Sequence, residues 1–484
     1  MLQNGLTDFD GALKITLTTC MVVLYTFFRQ VIDGHNPGVR PPFIRFLVDN
    51  IAITIPLTIL YTVGDQYNLY WNSAIIIFVV AALTFKFRLK DIKLYPALDS
   101  EYRYEKNKTY ITAYRSYVTL STIICILAVD FRYVFPWRHG KSYHFGYTLM
   151  DTGVGSFIFM AGLVAPEARM SSIADSKIKI LKKSIASSSV MALIGLLRTV
   201  ILRYMNYSVS YDEYGKDWNF FLTLAFVKVL SSVVLCVFHI PQNSWILSVL
   251  IAVGYQFALS SAGLLETLVN GVGGVTNHRN GFFNANREGI CSSIGMLALY
   301  FAGLSLGSFI FRKRDKFSET LRLWTIMTGL VLIFWILTFV AQTYIQEPSR
   351  CFANLTYVVW SVAHNMNLLT FLFFMEIVFF VMSHIKESAR LPGDELVLVP
   401  GGCTNCFTRN SRSTCSCLLP AISKNQLLYF LLGNIATGLI NQIGHPHERD
   451  YGEFLSSMFM FGYMFFVNGV ISVCFTYRWT AKFW

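Results

Sequence analysis

The chain has 484 residues, of which 54% are hydrophobic and only 14% are charged. A soluble domain carries about 25% charged residues, so this composition excludes an ordinary soluble enzyme and predicts a polytopic membrane protein. The formal net charge of +12 would suit a nucleic-acid-binding protein. However, the lysines and arginines cluster between apolar segments. This distribution is typical of membrane proteins and argues against nucleic acid as a partner.

Apolar segments of membrane-spanning length occur along the whole chain. One span needs about 20 apolar residues. On that criterion the sequence predicts an all-α bundle of about 13 transmembrane helices in a single domain, 1–484. The segment 355–383 is long for one span and is a candidate for a tilted or broken helix. The predicted spans are 11–28, 46–63, 69–85, 112–129, 147–165, 185–203, 219–238, 244–262, 288–310, 321–343, 355–383, 426–443 and 454–476.

Basic residues are concentrated in alternate loops, which predicts an orientation. The clusters lie in 86–108, 169–183 and 312–316, and the positive-inside rule assigns them to the cytosol. Counting spans then predicts a lumenal N-terminus and a cytosolic C-terminus. The glycosylation sequons at Asn206 and Asn354 are lumenal in this topology. The predicted lumenal loops are 130–146, 204–218, 263–287, 344–354 and 444–453.

A polar loop, 385–425, interrupts the apolar pattern and is predicted to be a flexible cytosolic insertion. Its cysteines follow a C-x2-C-x8-C-x-C spacing, which is compatible with zinc or with palmitoylation. A Cys-rich loop beside a membrane more often holds no metal, so we expect none. The four cysteines are Cys403, Cys406, Cys415 and Cys417.

Three ionisable residues lie where the chain leaves and re-enters the bilayer around the loop 130–146: Asp130, Lys141 and Asp151. A charge at the bilayer edge is costly unless it is paired or hydrated, so these groups are functional candidates. The simpler alternative is an interfacial ion pair that fixes the loop. The sequence has no Gly-rich phosphate loop, no H-E-x-x-H and no G-x-S-x-G motif that would indicate another chemistry.

Arg198 interrupts an apolar segment, LLRTVIL. Its side chain either pairs with a neighbouring helix or binds a phosphate, which a guanidinium can hold through two hydrogen bonds. The later segment YDEYGKDWNFF contains Trp218 and Asn219. These two residues belong either to a solvated loop with an interfacial aromatic belt or to a substrate site.

The segment FFNANREGI, 282–290, clusters polar residues at the predicted start of a helix. Asn and Arg side chains donate to phosphate and sugar hydroxyls, and a helix N-terminus adds a partial positive charge. The alternative is helix capping by Asn286 beside a solvated ion pair. The candidates here are Asn284, Asn286, Arg287 and Glu288.

In LLGNIATGLIN, Asn434, Thr437 and Asn441 are three or four residues apart and therefore share one helix face. Polar residues on such a face usually bond to neighbouring helices. Lining a substrate cavity is the functional alternative.

Together these motifs resemble the inositol acyltransferases of GPI-anchor biosynthesis. In that family we expect a helix ending in L-A-V-D-F, an F-P-R-R loop with a lysine, and then M-D-x-G-V-G-S/G-F. The matching residues here are Asp130, Phe131, Phe135, Pro136, Arg138, Lys141, Met150, Asp151, Gly153, Val154, Gly155 and Phe157. Further matches are E-Y-G-x-x-W-N-F-F at 213–221, N-A-N-R-E-G-I at 284–290, S-R-x-F-A-N-L at 349–355 and N-x-x-T-G-L-I-N at 434–441.

The resemblance implies transfer of a fatty acyl group, typically palmitoyl, from acyl-CoA to an inositol hydroxyl of glucosaminyl-phosphatidylinositol in the endoplasmic reticulum membrane. Acyl-CoA is then a co-substrate, and no cofactor stays bound. Asp130 is the expected general base. Lys141 is its expected cationic partner or oxyanion stabiliser, and Asp151 is a second carboxylate candidate. The expected substrate-binding residues are Arg138, Arg198, Trp218, Asn219, Asn284, Asn286, Arg287, Glu288, Arg350, Asn354, Asn434 and Asn441.

The chain departs from the family pattern in the loop after Asp130. The loop has one extra residue, Arg132 stands where proline is usual, and Trp137 replaces the first arginine of the pair. Asp217 replaces an expected histidine. Three alternatives stay open: a transporter or flippase, a membrane acyltransferase with a catalytic histidine, and a non-catalytic scaffold relative. The clustering of candidates at one face favours an enzyme.

Overall fold

The computed structural model describes residues 8–33, 41–65, 73, 108–169, 177–204, 211, 213–238, 243–271, 279–388, 418–446, 449 and 451–480. Over these residues the chain is a bundle of α-helices. A π-helical segment, Asn50–Thr54, lies within the second helix. The helices are α1 (Phe9–Asp33), α2 (Pro42–Tyr61), α3 (Thr109–Ala128), α4 (Asp151–Leu163), α5 (Lys177–Tyr204), α6 (Phe220–Phe238), α7 (Ser244–Ser260), α8 (Leu264–Asn270), α9 (Phe282–Ala285), α10 (Arg287–Ile310), α11 (Phe317–Tyr344), α12 (Leu355–Ser388), α13 (Leu418–Lys424), α14 (Gln426–Gly444) and α15 (Gly452–Thr476).

Among the described residues, ten helices are long and apolar enough to cross a membrane, or eleven if α7 and α8 form one span bent by 64°. The prediction of an all-α membrane bundle is confirmed, but the count of 13 is not. The predicted span 69–85 lies outside the described residues except for Ser73. The four cysteines of the polar loop, Cys403, Cys406, Cys415 and Cys417, also lie outside them.

One of the predicted spans forms a single helix, and another is only partly helical. The segment 355–383 lies in one continuous helix, α12, so the broken-helix alternative is wrong. The segment 147–165 contains only the 13 residues of α4. That is about 20 Å of helix, which is shorter than a hydrocarbon core of about 30 Å. The residues before α4 stay in the loop because Met150 N donates to His139 O at 3.1 Å.

Glycines allow α4 and α10 to pack with their backbones in close contact. A Cβ at Gly162 would lie 2.1 Å from Tyr300 O, and one at Gly303 would lie 2.1 Å from Phe159 O. Small residues on facing surfaces are the usual means by which membrane helices approach each other. Helix α10 is the most buried of the candidate spans. Consequently α4 is fixed against the centre of the bundle.

Helix α3 runs through the middle of the bundle and contacts α4, α12, α13 and α14. Tyr114 OH near its start donates to Asn365 Oδ1 at 2.7 Å. Asp130, just beyond its C-terminal end, accepts a hydrogen bond from Asn441 in α14. The end of α3, the start of α4 and the end of α14 therefore meet at one side of the bundle.

Candidate active site

A cavity of about 520 Å³ opens where α3, α4 and α14 meet. Eight of its lining residues are site residues predicted from the sequence, and the fold brings them together from six separate segments of the chain. Thr437 lines the same cavity, so the polar face of α14 belongs to the cavity wall. The eight are Asp130, Lys141, Arg198, Trp218, Asn219, Arg350, Asn434 and Asn441.

Five polar or charged residues of the cavity wall lie at or near helix ends or in the connecting loops, and we call this part of the cavity the mouth: Asp130, Lys141, Arg198, Glu213 and Asn441. Asp130 is 8% exposed, and its Oδ2 accepts a hydrogen bond from Asn441 Nδ2 at 2.8 Å. The mouth therefore combines two carboxylates, Asp130 and Glu213, with two cations and an amide.

Lys141 ends a chain of four alternating charges. Its Nζ lies 2.8 Å from Glu213 Oε1. The same Glu213 oxygen accepts from Arg350 Nη2 at 3.0 Å, and Arg350 Nε donates to Asp151 Oδ1 at 2.7 Å. Two cations thus balance two carboxylates, which a buried ionic group requires.

Burial increases along this chain of charges. Asp151 is fully buried and the Arg350 side chain is 3% exposed, whereas the Lys141 side chain is 42% exposed. The network is therefore anchored inside the protein and presents one ammonium group to the cavity.

The electrostatics of Glu213 and Arg350 agree with this arrangement. Burial alone would raise the pKa of the Glu213 carboxyl, but Lys141 and then Arg350 lower that pKa to about 2. Burial lowers the pKa of Arg350, but neighbouring groups, Glu213 first and Asp151 among them, raise it, and the net result is a pKa well above the ordinary value. Both groups remain ionised at neutral pH, so the network stays charged.

From the mouth the cavity continues into the bundle as a mainly apolar deep limb, lined by Thr19, Val22, Tyr117, Val118, Cys125 and Leu368. Tyr117 and Asp130 both line the cavity and are thirteen residues apart along α3 and its end. At 1.5 Å per residue the cavity therefore extends about 20 Å along this helix. A long, narrow apolar space beside a polar mouth is suited to a single hydrocarbon chain.

The chain matches the family model described as GWT1 over residues 7–474. The chain belongs to the GWT1 family. A mouse protein named glucosaminyl-phosphatidylinositol-acyltransferase PIGW is 34% identical over 415 residues, which are 82% of this chain and 81% of that protein. The human protein of the same name is 30% identical over 481 residues, covering 94% and 92% respectively. GPI-anchored wall transfer protein 1 of Candida glabrata is 30% identical over 464 residues, covering 89% and 88%.

Other motif residues of this GWT1-family chain support the cavity from behind its wall. Asn286 is fully buried, and its Oδ1 accepts from Asp217 N at 2.8 Å and from Trp218 N at 3.0 Å. Its Nδ2 donates to Phe282 O at 3.0 Å. The side chain therefore does not cap α10, as the capping alternative would require. It fixes the loop that carries Trp218 to the cavity.

A close backbone contact joins the same two segments. Gly215 has φ +102°, and a Cβ there would lie 2.5 Å from Ala285 O. Gly289 N donates to Tyr214 O at 3.1 Å, and Lys216 N donates to Ala285 O at 2.8 Å. The motifs E-Y-G and N-A-N-R-E-G therefore pack against each other through their backbones.

The remaining polar residues of that motif also bind protein groups. Arg287 Nη1 donates to Asn284 Oδ1 at 2.9 Å, and its Nε donates to Leu268 O at 3.1 Å. Glu288 receives two hydrogen bonds from Arg279, at 3.0 and 3.1 Å. These contacts favour a structural role for Asn284, Arg287 and Glu288, and direct substrate contact by them stays a prediction.

Three further candidates are not among the lining residues of the cavity, and each has a defined partner. Arg138 forms an ion pair with Asp65. Asn354 is fully buried, accepts from Ser349 N at 3.0 Å and from Tyr357 N at 3.1 Å, and caps the start of α12. Asp151 is held by Arg350 and accepts from Ser142 N at 3.2 Å. A catalytic role for Asp151 stays a prediction, and its contacts favour positioning.

Asn219 lines the cavity and also binds backbone groups of two helices. Its Oδ1 accepts from Phe221 N at 3.1 Å and from Leu222 N at 3.2 Å, which caps α6. Its Nδ2 donates to Gly195 O in α5 at 2.9 Å. Asn219 thereby joins α5 and α6 beside Arg198.

Glu213 is the site residue that sequence reasoning missed. The motif E-Y-G-x-x-W-N-F-F contained it, but no role was inferred. Charge balance gave no signal for it, because the expected cations Lys141 and Arg350 were already matched in number by the expected carboxylates Asp130 and Asp151.

Proposed function

We propose that this protein is an acyl-CoA-dependent inositol O-acyltransferase of GPI-anchor biosynthesis. The acceptor is the inositol of glucosaminyl-phosphatidylinositol, and the donated group is palmitoyl or a similar chain. The observation that carries the proposal is a single cavity with a carboxylate and an ammonium at its mouth and an apolar limb behind them. The names of relatives that cover most of this chain support the same reaction.

The two ends of the cavity suit the two parts of the reaction. The acyl chain occupies the deep limb, where burying each CH₂ contributes about 0.8 kcal/mol. The thioester then lies at the mouth beside the acceptor. Arg198, on the cavity wall beside Asn219, is suited to the phosphate of the acceptor lipid because a guanidinium holds phosphate through paired hydrogen bonds.

Asp130 is the general base in this mechanism. An inositol hydroxyl is a poor nucleophile until its proton is removed. Asp130 takes that proton as the hydroxyl oxygen attacks the thioester carbonyl carbon. The C–S bond then breaks, the proton passes to the departing CoA sulfur, and the products are the inositol ester and free CoA.

Lys141 stabilises the oxyanion that develops on the thioester carbonyl. A fixed cation serves this purpose better than a mobile one because it needs no reorganisation during the reaction. The ion pair with Glu213 restrains the ammonium, and Arg350 with Asp151 restrains Glu213.

We further propose that the protein resides in the endoplasmic reticulum membrane with the mouth on the lumenal side. The basic loop clusters favour this orientation. Among the residues that the structure describes, the rival reaction through a catalytic histidine has one candidate on the cavity wall, His364. Its Nδ1 lies 3.0 Å from Thr16 Oγ1 in the interior of the bundle.

The reaction is tested by expressing the chain in cells that lack their own inositol acyltransferase. Microsomes are given radiolabelled palmitoyl-CoA and glucosaminyl-phosphatidylinositol, and acylated product is separated by thin-layer chromatography. Label in the inositol ester that depends on this chain supports the proposal. A folded protein that yields no labelled product contradicts it and favours the scaffold or transporter alternative. His364→Ala in the same assay tests the histidine rival.

A further inference from the structure

Asn441 contacts the proposed base, Asp130, directly. Its Nδ2 lies 2.8 Å from Asp130 Oδ2. An ionised carboxylate can only accept hydrogen bonds, so the NH₂ group of the amide must face Asp130. This contact fixes the orientation of the amide, and its carbonyl oxygen points away from the carboxylate.

That carbonyl oxygen, Asn441 Oδ1, is buried and has no hydrogen-bond partner among the residues that the structure describes. Buried polar atoms are nearly always hydrogen-bonded in native proteins, and leaving one unpaired is costly. Because Asn441 lines the cavity, a bound molecule can supply the missing partner.

The chemistry of that partner is restricted. An amide carbonyl oxygen accepts but cannot donate, so it cannot bind a phosphate oxygen or a thioester carbonyl oxygen. It binds an N–H or O–H group. Since the NH₂ group of the same amide is held on Asp130, that donor must lie next to the group that Asp130 deprotonates.

We propose that Asn441 binds a second inositol hydroxyl, adjacent to the one that reacts, so that Asp130 and Asn441 together recognise a vicinal diol. This proposal rests on the proposed function, and it makes Asn441 a specificity-determining residue. Asn441 selects which hydroxyl faces the base, because an acceptor rotated in the mouth would leave Oδ1 unpaired. A site that hydrogen-bonds a substrate hydroxyl discriminates strongly against analogues that lack it.

The test compares glucosaminyl-phosphatidylinositol with analogues in which each inositol hydroxyl beside the acylated one is replaced in turn by hydrogen. We expect the wild-type protein to lose about 10- to 100-fold in kcat/KM on one of these analogues, as for a lost hydrogen bond to a buried polar group. Asn441→Leu keeps approximately the shape of the side chain but cannot bind a hydroxyl. It should show nearly equal kcat/KM on the intact and the deoxy acceptor, while its KM for palmitoyl-CoA stays unchanged.

The selectivity ratio is measured within one preparation, so a partly folded variant does not affect it. Gln442→Leu is the matched control, because Gln442 is the next residue, carries the same type of amide and is exposed. It should retain the wild-type ratio. The diol proposal is wrong if Asn441→Leu keeps the wild-type ratio of kcat/KM between intact and deoxy acceptor. It is also wrong if the wild-type protein acylates every deoxy analogue as well as the intact acceptor. Either result leaves the proposed acyl transfer in place. If the wild-type protein does not acylate the intact acceptor, the proposed function itself is contradicted.

Discussion

The ammonium of Lys141 lies 2.8 Å from Glu213 Oε1, and Glu213 in turn is held by the buried Arg350. This relationship explains how a lysine on a surface loop acquires a fixed position at the mouth of a cavity. The loop itself has an extra residue and Trp137 in place of an arginine, yet the ion pair ties Lys141 to another segment of the chain. We therefore expect the altered loop to be compatible with activity.

Replacing Glu213 with Gln should reduce kcat about 10- to 100-fold and destabilise the protein. The pKa of Glu213 is about 2 against an ordinary value of 4.5, which corresponds to roughly 3 kcal/mol of stability at neutral pH. A carboxyl whose pKa is lowered in the folded state contributes this stability above its unfolded pKa. The contribution is lost as the pH falls through the folded value. The difference in melting temperature between wild type and Glu213→Gln in detergent should therefore narrow from pH 5 downward.

Glu266→Gln provides the comparison, because Glu266 is an exposed acid at the start of α8. It should change neither kcat nor the pH dependence of melting. A pH-independent difference between wild type and Glu213→Gln would show that Glu213 is not the ionised partner of Lys141.

Val22→Phe should shift the preferred acyl chain toward shorter lengths. Val22 is 1% exposed and lines the deep limb, so a larger side chain removes space that the end of a palmitoyl chain would occupy. Each lost methylene contact changes selectivity by about 10-fold or more. The measurement is kcat/KM for lauroyl-, myristoyl- and palmitoyl-CoA. Leu17→Phe, at a 51% exposed position on the same helix, should keep the wild-type preference; an equal preference in both variants would place the acyl chain elsewhere.

Gly303→Ala should destabilise the protein by about 1–3 kcal/mol, the usual cost of overpacking, and should lower activity. The added Cβ would lie 2.1 Å from Phe159 O, a backbone atom that can move only if α4 moves. Helix α4 begins beside Lys141 and lines the cavity. In Gly329→Ala the Cβ meets no atom within 4 Å, so thermal unfolding of this variant should match or slightly exceed wild type. Equal melting temperatures for the two variants would contradict the close α4–α10 contact.

Asn354 should carry no glycan although it lies in a sequon. It is fully buried, and its Nδ2 donates to Glu347 O at 2.7 Å. The oligosaccharide would have to be attached to that same nitrogen. Mass spectrometry of the peptide that contains Asn354, from protein expressed in eukaryotic cells, should find it unmodified, and a glycan there would contradict the observed burial.

Much of the helix placement could be predicted from the sequence because apolar runs are long and separated by polar loops. The predicted spans 219–238 and 426–443 agree with α6 and α14 to within one residue at each end. The prediction failed for 147–165 because hydropathy does not show that Met150 is held in a loop by His139 O. An apolar residue can equally line a buried loop.

Polar residues were harder to assign, because a sequence does not show which side chains satisfy each other. Asn286 and Asn441 both occur in motifs that suggested substrate binding. In the fold both Oδ1 and Nδ2 of Asn286 form hydrogen bonds with protein groups. The Nδ2 of Asn441 donates to Asp130, whereas its Oδ1 is buried and has no partner among the described residues. The choice of Glu213 as the ion-pair partner of Lys141 likewise depends on tertiary packing between distant segments, which charge patterning alone does not reveal.

The catalytic roles of Asp130 and Lys141 are tested by single-turnover acyl transfer with purified Asp130→Asn and Lys141→Ala proteins. Asp10→Asn and Lys14→Ala serve as controls because that pair of the same residue types is exposed. Asp130→Asn and Lys141→Ala should each lose about 10²- to 10⁴-fold in the rate of inositol acylation. Their melting temperatures should show folded protein, and both controls should stay near the wild-type rate. A folded Asp130→Asn protein that acylates inositol at the wild-type rate would contradict the role of Asp130 as general base and move the chemistry to another carboxylate, Asp151 first.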